Sequence, residues 1–184
     1  MLSKVLFLDR DGVVSIEGGT YVTTPVDLQL LPGVTEALAM LCKAGWRLFI
    51  FTNQAGVAKG YLSIDMLNTI HSELVSRLEA SGAKVEAVYA CPHDSSDGCS
   101  CRKPLPGMLE RAANEHSLNL ADCLVVGDSP RDIAAGHAAG CRTVLVLTGH
   151  THVYIPSCFP HPQPYMVCSD LLSCATALCS GEEW

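Results

Sequence analysis

Val5-Leu6-Phe7-Leu8-Asp9-Arg10-Asp11-Gly12 runs four apolar residues straight into two carboxylates set two apart, followed by a glycine. In extended chain, residues two apart project to one side, so Asp9 and Asp11 can face a common site while Gly12 permits the tight turn that follows. Two carboxylates held together repel, and a divalent cation would offset that repulsion. Magnesium, which prefers oxygen ligands, is the obvious candidate. A strand that ends in a solvated acidic turn would read the same way from these residues alone.

Apolar, β-branched or aromatic runs of strand length recur at 47–51, 85–89, 124–126 and 143–147. Between them lie segments with helical spacing. The clearest is Ile64, Leu67, Ile70, Leu74, Val75 and Leu78, which share one face of a helix that Ser63 can cap. Alternating strands and helices predict an α/β fold, a three-layer doubly wound parallel sheet that binds ligands beyond the carboxyl ends of its strands. The length of 184 residues predicts a single domain spanning residues 1–184, with no separate cap domain. The stretch from His150 to Pro164 reads as a long surface connection, with His150, His152 and His161 as its polar residues.

Hydrophobic residues make up 48% of the chain and charged residues 17%, which excludes a disordered class. The net charge of -7 offers no footprint for nucleic acid. No apolar run approaches the roughly 18 to 20 residues of a membrane span. The chain therefore reads as a soluble, cytoplasmic monomer, without nucleic-acid or membrane partners. Its ten cysteines, with no export signal beside them, are expected to be reduced, and the C-terminal Cys158, Cys168, Cys174 and Cys179 carry no assigned function.

Three other predicted strands lead into polar residues. After the second come Thr52, Asn53 and Gln54, whose hydroxyl and backbone N–H groups can hold phosphate oxygens or merely shape a turn. Lys103 follows Arg102 just before a predicted helix, where its ammonium can neutralise a phosphate and a carboxylate, or simply face solvent. After the fourth, Ser129, Pro130 and Asp132 form a helix-start signal. Asp128, one step before the cap, is free to bind the cation, while Asp132 reads as a cap or a supporting partner. Cys91, His93, Cys99 and Cys101 make a plausible Cys3His zinc site with no open position, although incidental loop cysteines remain the alternative.

In this order, Asp9/Asp11, Thr52, Lys103 and Asp128/Asp132 resemble the four motifs of the haloacid dehalogenase superfamily. The resemblance implies that Asp9 is a nucleophile and Asp11 a general acid and later base. It implies that Thr52 and Lys103 hold a phosphoryl group, and that Asp9, the Asp11 backbone carbonyl and Asp128 bind Mg2+. Cys-Pro-His at 91–93, Cys-Arg-Lys-Pro at 101–104 and Pro-Gly-Met at 106–108 look like the D-glycero-D-manno-heptose 1,7-bisphosphate 7-phosphatases, a family similar to the histidinol-phosphate phosphatases, which also carry a zinc loop.

That narrower resemblance implies a small phosphorylated sugar as substrate. Arg102 would meet its second phosphate or sugar, Asn53 and Gln54 would line the pocket, and the flap around Gly18, Gly19 and Tyr21 would shape the entrance with the zinc (Zn2+) loop. Val13 and Ser129 depart from the usual pattern. Ser129 stands where relatives can carry a basic phosphate contact, and Arg10 and Arg131 are the candidates to compensate. The rival expectations are a histidinol-phosphate or other metabolite phosphatase, a non-catalytic zinc-stabilised phosphate-binding module, and an enzyme of nucleic-acid ends, which the charge disfavours.

Overall fold

Short apolar runs separated by helices need both of their faces covered, and the computed structural model, which describes residues 4–159 and 161–180, meets that need with a single parallel sheet. The strands are β1 (Val5–Leu8), β2 (Arg47–Asn53), β3 (Val85–Cys91), β4 (Cys123–Gly127), β5 (Arg142–Val146) and β6 (Met166–Cys168). The helices are α1 (Val34–Lys43), α2 (Ile64–Ala80), α3 (Gly107–His116), α4 (Pro130–Ala138) and α5 (Leu171–Cys179). The strand order is β3-β2-β1-β4-β5-β6 with every pairing parallel.

The pleat sorts side chains into two layers. Leu6, Leu8, Ile50 and Val126 pack in the cluster that also holds Leu38 and Leu41 of α1, Leu67 and Leu74 of α2, and Leu171 and Leu178 of α5. Val5, Phe7, Phe51 and Val125 pack instead with Met108, Leu109 and Ala112 of α3 and Ala135 of α4. The expected three-layer α/β architecture is therefore the observed one. Among the described residues, no helix is long and apolar enough to cross a membrane.

Two local details extend the sequence reading. Ser63 caps α2 by accepting from the Met66 N–H at 3.1 Å, as its position suggests. The connection after β5 is less superficial than expected: Phe159 is buried against Ile133 and Leu145, with the Tyr154 ring 5.2 Å from its own. That anchor precedes β6, three residues long and too short to announce itself by periodicity.

The topology selects one edge of the sheet for chemistry. From β1 the chain first moves to β2 on one side and later to β4 on the other, so a crevice opens beyond the carboxyl ends of β1 and β4. Asp9 stands immediately after β1, its N–H donating to the Val126 carbonyl of β4 at 3.0 Å. Asp128 follows β4 directly.

Candidate active site

An open cleft of about 430 Å³ lies at this edge, lined by Asp9, Asp11, Thr52, Lys103, Asp128 and Asp132 among others. Its floor is an ion-pair bridge. Lys103, only 3% exposed, sets Nζ 2.8 Å from Asp9 Oδ2 and 2.6 Å from Asp132 Oδ1, with the Phe51 ring 4.3 Å away. A buried ammonium survives only with such partners, and both carboxylates hold Lys103 in its charged form against its burial.

Asp132 also accepts from the Ser129 N–H at 3.0 Å and the Ser129 hydroxyl at 2.6 Å. It thus caps α4 and fixes the lysine with the same carboxylate. Burial would raise its pKa, but Lys103 and Ser129 outweigh burial and hold it low.

Asp9 and Asp128 respond in the opposite sense. Burial pushes Asp9 well above the ordinary carboxylate range; Lys103 opposes the rise, and Asp132 and Asp128 add to it. Asp128 is pushed up to about 6, by burial first and then by Asp132. Carboxylate oxygens of Asp9, Asp128 and Asp132 lie within 4.8 Å of one another. Three carboxylates around one ammonium leave this cluster short of positive charge, and its hard oxygen donors suit magnesium.

The backbone is cut away around Asp128 to make room for its carboxylate. A Cβ at Gly12 would come within 2.4 Å of Asp128 Oδ2, and one at Gly149 within 2.1 Å. Both positions therefore require glycine, and Gly12 requires it twice, since its φ of 83° is left-handed.

The five residues expected to contact substrate all border the cleft. Arg102 and Tyr21 line the cleft. Arg102 donates to the His93 carbonyl at 3.0 Å, and Tyr21 OH accepts from Lys59 Nζ at 3.0 Å while its ring lies against Tyr61. Arg10, Asn53 and Gln54 line the cleft too, with side chains that bond to other residues of the site. Asn53 clamps the Lys103 backbone, accepting its N–H at 3.0 Å and donating to its carbonyl at 3.1 Å. Gln54 donates to Asp11 Oδ2 at 2.9 Å and to Thr52 Oγ1 at 2.8 Å.

Arg10, expected as a substrate contact, borders the cleft but is only 1% exposed, with its guanidinium bonded inside the protein. Nε and one terminal nitrogen donate to the two oxygens of Asp11 at 2.9 and 2.8 Å. The other terminal nitrogen donates to His71 Nε2 at 3.1 Å. Nε and both terminal nitrogens are thus each bonded within the protein, which commits this cation to Asp11 and His71. Arg131, at the cleft wall, retains an exposed side chain.

Sequence reasoning missed Glu17, His71 and His150. His150 donates its N–H to Asp128 Oδ2 at 2.6 Å, and its Nδ1 lies 2.5 Å from Glu17 Oε2. No motif announces either residue, because each reaches the cleft from a loop whose path depends on the whole fold.

Beside the cleft, the four residues singled out for zinc converge. Cys91 Sγ lies 3.6 Å from His93 Nδ1, 3.6 Å from Cys99 Sγ and 3.1 Å from Cys101 Sγ, while His93 Nδ1 lies 3.3 Å from Cys101 Sγ. Four ligands about 2.0 to 2.3 Å from a central zinc sit roughly 3.3 to 3.8 Å apart, and three of these four separations fall in that range. The exception is Cys91–Cys101, which at 3.1 Å is tighter than such an edge, and all four separations are far longer than the roughly 2.05 Å of a disulfide.

The HAD-hydrolase-like family profile matches residues 100–174, the stretch carrying Lys103 and Asp128. The D-glycero-beta-D-manno-heptose-1,7-bisphosphate 7-phosphatase of Bordetella bronchiseptica is 40% identical over 95% of this chain and 97% of its own. The chain belongs to this family of HAD-like phosphatases. The enzyme of the same name from Pseudomonas aeruginosa is 36% identical over 97% of this chain and 99% of its own. A crystal structure of D,D-heptose 1,7-bisphosphate phosphatase from B. bronchiseptica, complexed with magnesium and phosphate, has a TM-score of 0.87 and 39% identity, covering 95% of this chain and 97% of that one. The family supports the expected class of phosphoric monoester hydrolase, and the magnesium of that neighbour agrees with the oxygen-rich donor set found here.

Proposed function

We propose that this HAD-like phosphatase hydrolyses the 7-phosphate of D-glycero-D-manno-heptose 1,7-bisphosphate through an aspartyl-phosphate on Asp9. The observation that carries the reading is the buried bridge Asp9–Lys103–Asp132, set against Asp128 where the strand order reverses. It holds a carboxylate next to fixed positive charge at the floor of an open cleft, as nucleophilic attack on a phosphoryl group requires.

Asp9 attacks phosphorus, forming an O–P bond as the ester bond to the sugar oxygen breaks. Asp11 gives its proton to that leaving oxygen, then takes one from the water that attacks the phosphorylated Asp9 and releases phosphate. Lys103 and the Thr52 hydroxyl hold the transferring oxygens while charge redistributes. Magnesium would be held by Asp9, Asp128 and the Asp11 carbonyl, and would supply positive charge that favours ionised Asp9 and offsets charge on the phosphoryl oxygens. Asn53 and Gln54 act by fixing Lys103, Asp11 and Thr52. Arg102 and Tyr21 serve the remainder of the substrate.

The test is a panel of phosphate esters with magnesium. kcat/KM for the heptose bisphosphate is expected to exceed that for histidinol phosphate by at least about tenfold, roughly 1.4 kcal/mol of discrimination. A preference for histidinol phosphate would overturn the substrate assignment, and no magnesium-dependent release from any ester would leave a binding module. Arg102→Ala belongs in the same panel. It should depress turnover of the bisphosphate much more than that of a simple aryl phosphate, and equal losses would remove Arg102 from the substrate's distal end.

We further assign zinc to Cys91, His93, Cys99 and Cys101. The metal would pin the polar loop at 94–98, which has little core of its own, and through the His93 carbonyl would hold Arg102. One equivalent of zinc is expected in the purified protein. Cys99→Ser should lower Tm by about 5 to 10 °C, the scale for a few kcal/mol lost from a chain of this size. Protein free of zinc with an unchanged Tm would refute the assignment.

A further inference from the structure

His71 sits where a hydrophobic residue should be. On α2 the buried face reads Leu67, Ile70, His71, Leu74 and Leu78, and the position between the leucines would bury an aliphatic side chain without cost. An imidazole there, only 8% exposed, loses hydration and needs a partner. The partner is Arg10, whose terminal nitrogen is 3.1 Å from Nε2. A guanidinium has only donors, so Nε2 accepts and the ring proton resides on Nδ1. The ring stays neutral, since burial and then Arg10 push His71 down to about 4.

Arg10 itself is buried, and two more of its N–H groups grip both oxygens of Asp11. With Gln54 and the Ser15 hydroxyl on the same carboxylate, at 2.9 and 3.1 Å, Asp11 is held from three sides. Only one of these supports reaches back to a helix. That one is the path through Arg10 to His71.

We infer that His71 is a positioning residue, which fixes Arg10 and, through Arg10, sets the Asp11 carboxylate where it can serve the leaving oxygen. The inference rests on the role proposed above for Asp11. Its signature is dependence on the leaving group. A sugar alkoxide needs a proton as it departs, whereas 4-nitrophenolate leaves without one, so displacing Asp11 slows the first far more than the second.

The experiment compares kcat/KM for heptose bisphosphate and 4-nitrophenyl phosphate in wild type, His71→Leu, His71→Gln, Arg10→Met and the double variant His71→Leu/Arg10→Met. His71→Leu, which matches the surrounding leucines, should lose about tenfold or more on the sugar ester and much less on the aryl ester, chiefly in kcat. His71→Gln, whose amide oxygen can accept from Arg10, should recover most of that loss. The double variant should be no worse than Arg10→Met alone, because both act along one path. Equal losses on the two esters, or additive losses in the double variant, would overturn the inference. Asp11→Asn separates the underlying reading: if it shows no leaving-group dependence, the role of Asp11 fails, whereas dependence there but not in His71→Leu sinks the role of His71 alone.

Discussion

Asp9→Asn is expected to reduce phosphate release by about four orders of magnitude or more, the scale on which enzymes lose activity when a nucleophile is removed. The substitution keeps the shape of the side chain and removes the charge that attacks phosphorus. The fold should survive it. Burial already makes the Asp9 charge unfavourable in the folded protein, with Asp132 and Asp128 adding to the effect, so a neutral amide relieves repulsion. Lys103 meanwhile keeps Asp132 as its partner at 2.6 Å. Tm should therefore change by only a few degrees while labelled phosphate no longer becomes bound to the protein. Turnover near the wild-type rate would dismantle the mechanism.

The chain states its architecture in local terms because a parallel sheet is buried on both faces. The run at 5–8 is wholly apolar, that at 47–51 is apolar after Arg47, and that at 85–89 is broken only by Glu86; each lies within an observed strand. Asp9 and Asp128 were readable for a related reason: residues that end adjacent parallel strands must meet. Thr52 and Lys103 were placed by resemblance, and the cleft brings them together with the two acids. What stayed hidden depends on contacts across large separations in sequence. Arg10 reads as a free cation beside a phosphate site until α2 supplies His71, 61 residues away. Asn53 reads as a pocket residue until the loop carrying Lys103 returns against it. His150 reads as loop polarity until the turn after β5 brings its N–H onto Asp128. In each case the side-chain chemistry was visible and the partner was not.

Lys103→Met should cost both activity and stability, and the size of each follows from burial. The ammonium is 3% exposed and is the cation that Asp9 and Asp132 share. Removing one partner from a buried ion pair leaves uncompensated charge, a loss of about 3 to 5 kcal/mol. Methionine fills the volume and preserves the contact with Phe51, so the deficit isolates charge rather than packing. Turnover should fall by about a thousandfold, since a fixed cation opposite the transferring oxygens is lost. Stability should respond to magnesium more strongly in Lys103→Met than in wild type, because the variant has no other cation among three clustered carboxylates. Adding Asp9→Asn should then restore part of the lost stability and none of the activity, a coupling that a double-mutant cycle in Tm and denaturant midpoint measures directly. If Lys103→Met melts like wild type without magnesium, the lysine is not the counter-charge that allows these acids to lie together, and the electrostatic basis of the site would have to be sought elsewhere.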